Sequence, residues 1–227
     1  MSGGERSAGV SGQLGKGLGV MAPVVNGLRS SDFYAINRAL RQGHPLTGAC
    51  GAFLDWEGWS SQGEFVEAVS RLFLEAWRSG ALGAKAGSTA YRGITVTEDV
   101  LSQFLRERLI VDLGYGFATP CRDLALFHLH EDRRTEKGVY AEDGGAKLVS
   151  VLLEITVGRY SLYCPSGSEP DPFGIRPIEG MASRAKAGEF VFDRGALLRI
   201  TAVDLTSSPV VLVVVGHEVL GTRPGLR

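Results

Sequence analysis

The chain has 227 residues, an apolar fraction of 44% and a formal net charge of −1, which are ordinary values for a globular protein. A chain of this length can bury a core without metal or disulfide staples. The near-neutral charge excludes binding to nucleic acid or membranes through overall electrostatic attraction. The three cysteines are far apart in sequence and form no CxxC pair, which argues against a disulfide framework or a zinc knuckle.

The first 28 residues, Met1–Leu28, are rich in Gly and Ser and lack the basic stretch and apolar run of a secretory signal. We therefore expect a flexible leader over residues 1–28 and a single domain over residues 29–227. No apolar run is long enough to span a bilayer. This favours a cytoplasmic protein, or one delivered into a target cell without a classical signal peptide.

Helical spacing of apolar residues predicts two helices in the first third of the chain. The first begins at Ser31 or Asp32 and ends before Gly43, and the second covers Glu64 to about Arg78. The segment between them, Gly48–Gly63, is predicted to be a loop.

The remainder of the chain predicts mainly strands. Helices are expected at Thr97–Arg108 and Arg122–Leu129. Strands are expected at Ser88–Val96, Gly114–Thr119, Lys147–Val157, Tyr160–Cys164, Glu189–Asp193, Leu197–Asp204 and Val210–Gly216. Pro165–Gly188 is predicted to be a long functional loop, since structureless loops of this length in compact domains usually carry function. Helices first and strands later indicate an α+β domain with mostly antiparallel sheets.

The sequence does not match the common nucleotide-binding and metal-binding signatures. The glycine-rich LGKGLG segment, Leu14–Gly19, has no preceding strand and no Ser or Thr after its lysine, so it is not a P-loop. His128 and His130 have no third ligand at zinc spacing. We therefore predict no metal site.

Three short segments occur in an informative order. Tyr91-Arg92-Gly93 places an arginine on a strand, Phe117-Ala118-Thr119 ends another strand with small and hydroxyl side chains, and Glu189 opens a third strand after the long loop. Alone, each has an ordinary structural explanation: an ion pair for the arginine, a turn for the threonine, a solvated strand end for the glutamate. Their order is the informative feature.

This order resembles the arginine–serine–glutamate branch of the mono-ADP-ribosyltransferase family, which includes many bacterial toxins. Asp32–Arg41 resembles that family's helical Y-x-x-I-N-x-x-L-R segment, and Leu148–Val157 resembles the strand before its nicotinamide-facing loop. Glu189–Thr201 resembles its E-V-L-L-P-x-G segment. The resemblance covers roughly residues 30 to 215.

The resemblance implies an ADP-ribosyltransferase-like fold, with N-terminal helices packed on two mostly antiparallel β-sheets and NAD in the cleft between the sheets. It implies transfer of ADP-ribose from NAD to a protein or nucleic-acid acceptor with release of nicotinamide, without a metal. It also suggests a toxin or effector with an immunity partner. The alternatives are an NAD glycohydrolase, a catalytically silent binding module of the same fold, and an unrelated sandwich-type interaction domain.

The resemblance assigns the central catalytic roles to Glu189 and Arg92. Cleavage of the nicotinamide–ribose bond passes through an oxocarbenium-like ribose, as in glycoside hydrolysis. A carboxylate that hydrogen-bonds the ribose hydroxyl becomes more favourable as positive charge develops, which is the role implied for Glu189. A guanidinium can form paired hydrogen bonds to a pyrophosphate, which is the role implied for Arg92.

Four further residues complete the implied NAD site. Thr119 takes the place of the family's central hydroxyl residues and orients the pocket around the glutamate. Gly93 leaves room for the nicotinamide, whose amide pairs with the backbone there. Tyr91 and Phe117 are the remaining residues that we expect to contact NAD.

The sequence departs from the family pattern at two positions. Ala118 replaces the first serine of the S-T-S motif, and Ala187 replaces the Glu or Gln two residues before the catalytic glutamate. An alanine cannot act as a base or hydrogen-bond an acceptor through its side chain. The long loop offers substitutes and a residue to cover the nicotinamide ring: Glu169, Asp171, Glu179 and Phe173. The acceptor therefore stays open.

Overall fold

The computed structural model describes residues 32–56, 58–134, 147–164 and 188–219, together with Val24, Gly27 and Leu28. The chain divides into two compact units. The first comprises Met1–Ser79 with Pro165–Lys186, and the second comprises Gly80–Cys164 with Ala187–Arg227. The single domain predicted for residues 29–227 stays a prediction. In the residues that the structure describes, no helix is long and apolar enough to cross a bilayer.

The first unit contains three helices: α1 (Asp32–Gln42), α2 (Ala52–Trp56) and α3 (Gln62–Arg78). Helices α1 and α3 confirm the two predicted helices. Helix α2 lies inside the segment predicted as a loop, and that prediction was wrong there. Five residues are too few to show a helical period, so the buried Leu54 gave no signal of its own.

Helix α3 shows why this part of the chain is helical. Ser61 caps its N-terminus by accepting a hydrogen bond from the Glu64 amide at 3.2 Å. The Glu64 carboxylate accepts hydrogen bonds from the backbone and hydroxyl of Ser60, and these bonds lower the pKa of Glu64, with the hydroxyl bond as the largest cause. One helix face is buried, and its Phe65 ring lies edge-on to Phe33 of α1, with ring centroids 5.8 Å apart.

Three residues assigned to the flexible leader have a different structure. Val24, Gly27 and Leu28 are helical and buried. A Cβ on Gly27 would lie 2.4 Å from the Phe65 ring. These three residues thus differ from a flexible leader, and Gly27 packs against Phe65 of α3; the boundary of the leader stays a prediction. Residues 1–23 lie outside the described part of the chain.

The second unit contains every strand of the described chain and two further helices. The helices are α4 (Glu98–Glu107) and α5 (Arg122–Arg134). The strands are β1 (Thr89–Thr97), β2 (Leu109–Asp112), β3 (Gly116–Ala118), β4 (Leu148–Thr156), β5 (Ser161–Cys164), β6 (Glu189–Phe192), β7 (Ala196–Asp204) and β8 (Val210–Val219). All seven predicted strands are confirmed, and β2 is additional.

The strands form two sheets. The larger sheet has the order β1-β4-β8-β7-β2 and the smaller has the order β3-β6-β5. The β4–β8 ladder is parallel, and the other ladders between described strands are antiparallel. Apolar side chains of both sheets share one core, in which Ile94 and Ile155 of the larger sheet meet Phe190 of the smaller. This confirms the predicted α+β class with two mostly antiparallel sheets.

Candidate active site

The two sheets are joined at one point, between β1 and the end of β3. The Tyr91 amide donates to the Thr119 carbonyl at 2.7 Å, and the Thr119 amide donates to the Tyr91 carbonyl at 2.9 Å. This pair of hydrogen bonds forms a single bridge outside the main ladders. It places two of the predicted NAD-binding residues side by side.

The smaller sheet brings Glu189 to the same place. Ala118 of β3 is opposite Phe190 of β6, and one step further along this register stand Thr119 and Glu189. Opposite residues in antiparallel strands have Cβ atoms about 5 Å apart. The β3–β6 ladder ends at Ala118 and Phe190, so Thr119 and Glu189 are the residues next in the chain to its last pair, and Thr119 pairs with Tyr91 of β1. Glu189 also pairs with the fully buried Cys164 of β5, and its own side chain is partly buried.

Arg92 enters this region from β1 as a buried cation. Its side chain is 9% exposed, and its Nη1 donates to Oδ2 of Asp112 at 2.7 Å. Asp112 ends β2, and its side chain is 1% exposed. Ion pairs between surface side chains contribute little, whereas a buried pair fixes two charges in one geometry. The structural interpretation of Arg92 as an exposed ion-pair partner is therefore wrong.

A glycine makes room for the guanidinium. A Cβ on Gly116 would lie 2.7 Å from Nη1 of Arg92 and 3.3 Å from the ring of Phe192. The guanidinium therefore lies beside the Gly116–Phe192 pair, at the opposite end of the β3–β6 ladder from Glu189. Three residues of strand span about 10 Å. A carboxylate and a guanidinium at this spacing can contact different parts of one dinucleotide.

Gly93 packs closely against a helix of the same unit. A Cβ on Gly93 would lie 2.5 Å from the Cβ of Leu129 and 2.8 Å from the carbonyl oxygen of Ala125. Both residues belong to α5. The missing side chain is thus explained by close packing of α5 on β1, and room for nicotinamide at this position stays a prediction. Pairing of the Gly93 backbone with the nicotinamide amide stays a prediction.

Thr119 is buried and its hydroxyl shapes the local turn. Its Oγ1 accepts a hydrogen bond from the Cys121 amide at 3.2 Å, and the Cys121 carbonyl then accepts the Ala125 amide at the start of α5. The hydroxyl proton stays available as a donor. The side chains of Tyr91 and Phe117 are partly buried next to it.

The comparisons with known proteins agree with this architecture. No family model and no curated protein matches the chain in sequence. Among solved structures, the chain is similar to the ADP-ribosyltransferase Vis in complex with the M6 inhibitor, with a TM-score of 0.50 and 17% identity over 95% of this chain and 87% of that one. The chain has the ADP-ribosyltransferase fold.

Two other solved structures with this fold are also similar. The Vis toxin from Vibrio splendidus has a TM-score of 0.48 and 18% identity over 96% of this chain and 89% of that chain. Exoenzyme S from Pseudomonas aeruginosa, bound to carba-NAD and a 14-3-3 protein, has a TM-score of 0.47 and 19% identity over 97% and 90% of the two chains. The predicted ADP-ribosyltransferase-like fold is confirmed, and the chemistry must be argued from the residues themselves.

Two residues of the candidate site in this ADP-ribosyltransferase fold were missed by the sequence analysis: Asp112 and Gly116. The available signal was a carboxylate at the end of the apolar run Leu109–Asp112, where a buried charge needs a partner. Phe173, Glu169, Asp171, Glu179 and Ala187 lie outside the described residues. His128 and His130 are exposed on α5, and the described ranges contain no group of three or more side chains suited to a metal.

Proposed function

We propose that this chain transfers ADP-ribose from NAD to a macromolecular acceptor and releases nicotinamide, as a toxin or effector acting inside a target cell. The main support is the backbone bridge between Tyr91 and Thr119, together with the β3–β6 ladder that ends at Ala118 and Phe190, the chain neighbours of Thr119 and Glu189. The fold adds to it, because the similar protein Vis is an ADP-ribosyltransferase.

Glu189 is the proposed catalytic carboxylate. The bond that breaks joins the nicotinamide nitrogen to C1′ of the ribose, and the bonding electron pair leaves with neutral nicotinamide. The ribose then carries positive charge, and a carboxylate hydrogen-bonded to its hydroxyl stabilises that charge more than it stabilises bound NAD. The acceptor supplies a nucleophilic atom to C1′ and loses a proton.

Arg92 is the proposed pyrophosphate ligand. Only one of its two Nη groups is bonded to Asp112. Within the described residues, its Nε and second Nη donate to no protein acceptor. This edge of the guanidinium therefore retains the parallel N–H pair that suits phosphate oxygens.

Thr119 is the proposed positioning hydroxyl, at the end of the β3–β6 ladder nearer to Glu189. Because its Oγ1 already accepts the Cys121 amide, its rotation is restricted and its proton has a preferred direction. Ala118, opposite Phe190 and buried in the core, offers no hydroxyl of its own. Thr119 is thus the remaining hydroxyl of the family's S-T-S motif for this role. The immunity partner inferred from the resemblance stays a prediction.

The proposal is tested by incubating the purified chain with NAD labelled in the adenosine and a whole-cell lysate. Label should appear in protein or in nucleic acid with the wild-type chain and be lost with Glu189→Gln. Glu154→Gln serves as a matched control, because Glu154 is also a partly buried glutamate of a strand. Free ADP-ribose with no labelled macromolecule would instead show a glycohydrolase. No consumption of NAD in any fraction would contradict the proposal.

A further inference from the structure

We infer that Asp112 is a positioning residue that holds the guanidinium of Arg92 in the orientation needed to bind the pyrophosphate of NAD; this inference rests on the proposed function. Asp112 itself lies at the end of β2, behind Arg92, and makes no proposed contact with the substrate. Its effect on NAD is therefore exerted through the arginine.

Because the Arg92–Asp112 pair is buried, a contribution to folding stability is not a sufficient explanation for its presence. Both side chains are nearly inaccessible, at 9% for Arg92 and 1% for Asp112. Removing two charges from water is costly, and apolar residues of similar volume often give equal or greater stability. A buried charged pair of this kind indicates a requirement for geometry at Arg92.

The carboxylate of Asp112 is itself held by the backbone around it. Its Oδ1 accepts the Gly114 amide at 3.1 Å. Its main-chain carbonyl accepts the Gly195 amide at 2.6 Å, and its ladder partner on β7 is Ala196. Asp112 is thus fixed to both the β2–β3 turn and the β6–β7 turn. The second of these turns follows the strand that begins with Glu189, so one residue connects the positions of both charged groups.

The guanidinium has little freedom on its other side. Gly116 approaches so closely that a methyl group there would overlap with Nη1, and the Phe192 ring lies beside the same space. Asp112 holds Nη1 of Arg92, and Gly116 confines the plane of the guanidinium. The guanidinium edge that carries Nε and the second Nη is therefore the part that can contact a ligand. A fixed donor pair loses less entropy on binding than a mobile one.

Two possible roles of Asp112 predict opposite effects of Asp112→Asn. If Asp112 only neutralised the arginine, the variant would bind the anionic pyrophosphate more tightly. If Asp112 positions the arginine, the variant should bind NAD more weakly and release nicotinamide more slowly, on the order of 10- to 100-fold, because small misplacements of a binding group are costly. The asparagine keeps the acceptor for the Gly114 amide, so the backbone contact is preserved.

The test is a double-mutant cycle on the full chain, with NAD affinity measured by calorimetry and nicotinamide release measured as an initial rate. The variants are Asp112→Asn, Arg92→Met and the double variant. We expect Asp112→Asn to lower both quantities in the wild-type background and to change neither by more than about twofold in the Arg92→Met background, since coupled residues are not additive. Asp193→Asn, a buried aspartate of the same unit, controls for loss of a buried carboxylate.

The outcomes separate the two proposals. If the wild-type chain binds NAD but the two substitutions act additively, or Asp112→Asn binds NAD more tightly, the positioning role is overturned. The proposed function would still stand in that case. A wild-type chain that neither binds nor cleaves NAD would overturn the proposed function and this inference with it.

A second measurement covers the case in which Asp112→Asn does not fold. Arginine side-chain NMR of the wild-type chain should show distinct signals for the two Nη groups of Arg92, assigned by their loss in Arg92→Lys, because one is held by Asp112. Averaged signals from a freely rotating guanidinium would refute the inference.

Discussion

Gly93→Ala tests the account of how β1 is packed, and its cost follows from two distances. The new methyl group would lie 2.5 Å from the Cβ of Leu129 and 2.8 Å from the Ala125 carbonyl, so α5 must move by about 1 Å to restore ordinary carbon contacts. Overpacking of this kind typically costs 1–3 kcal/mol, and contact with helix backbone favours the upper end, about 3 kcal/mol. For a chain of this size, that lowers the Tm by roughly 6 to 12 °C.

The assay is thermal unfolding of the variant, followed by circular dichroism with and without NAD. Gly63→Ala is the control, because a Cβ there meets nothing nearer than the Leu46 carbonyl at 3.5 Å. This position is helical, so alanine should leave stability unchanged or raise it by about 0.5–1 kcal/mol. A Gly93→Ala variant as stable as the wild type, with only its NAD affinity reduced, would refute the packing argument and favour the nicotinamide explanation.

Three further predictions follow from individual contacts. Gly116→Ala should displace the guanidinium of Arg92, from which the new Cβ would be 2.7 Å away, and weaken NAD binding about tenfold by calorimetry; unchanged affinity would contradict the proposed contact. Thr119→Val should slow nicotinamide release about tenfold, whereas Thr119→Ser should retain most of the rate; equal rates for the two variants would argue against a role for the hydroxyl. Hydrogen bonds from the Ser207 hydroxyl and then from the adjacent threonine lower the pKa of Asp204 to about 2. Since the folded pKa lies below the unfolded value of 3.8, the stabilisation is present above that value and is lost as the pH falls toward 2. An NMR titration of the Asp204 carboxyl checks this, and a midpoint near the unfolded value would contradict it.

The sequence predicted those elements whose pattern is long or marked by a cap. Strand β4 is a nine-residue run of mainly apolar residues, and α4 begins at Thr97, whose hydroxyl accepts the Val100 amide. Both were predicted within one or two residues. Helix α2 and strand β2 were missed because elements of four or five residues show no clear period. The equally short β6 was predicted from its place before the turn signal Asp193-Arg194-Gly195.

The candidate site was predictable only in part, for a related reason. Arg92, Thr119 and Glu189 were predicted through the order of their motifs; the structure pairs Thr119 with Tyr91, the neighbour of Arg92, and their roles stay predictions. Asp112 was not found, because its contact with Arg92 depends on where β2 lies in the folded chain. The packing of α5 against Gly93 was not predicted, because the approach of a helix cannot be read from the residues next to a glycine.

Strand order alone would also not have shown that Gly116 is required by the guanidinium. A glycine between two aromatic residues, Tyr115 and Phe117, is typical of a turn or a strand end. The space it leaves is filled by a side chain that starts on another strand, 24 positions earlier in the chain. Contacts of this kind determine most of the site's geometry.

The most direct test of the central claim is the rate at which the purified chain releases nicotinamide from NAD, with Glu189→Gln and Glu154→Gln measured under identical conditions. The account predicts release by the wild-type chain, a loss of at least 100-fold in Glu189→Gln, and a rate within about twofold of wild type in Glu154→Gln. Equal rates for the wild-type chain and a folded Glu189→Gln variant would contradict it.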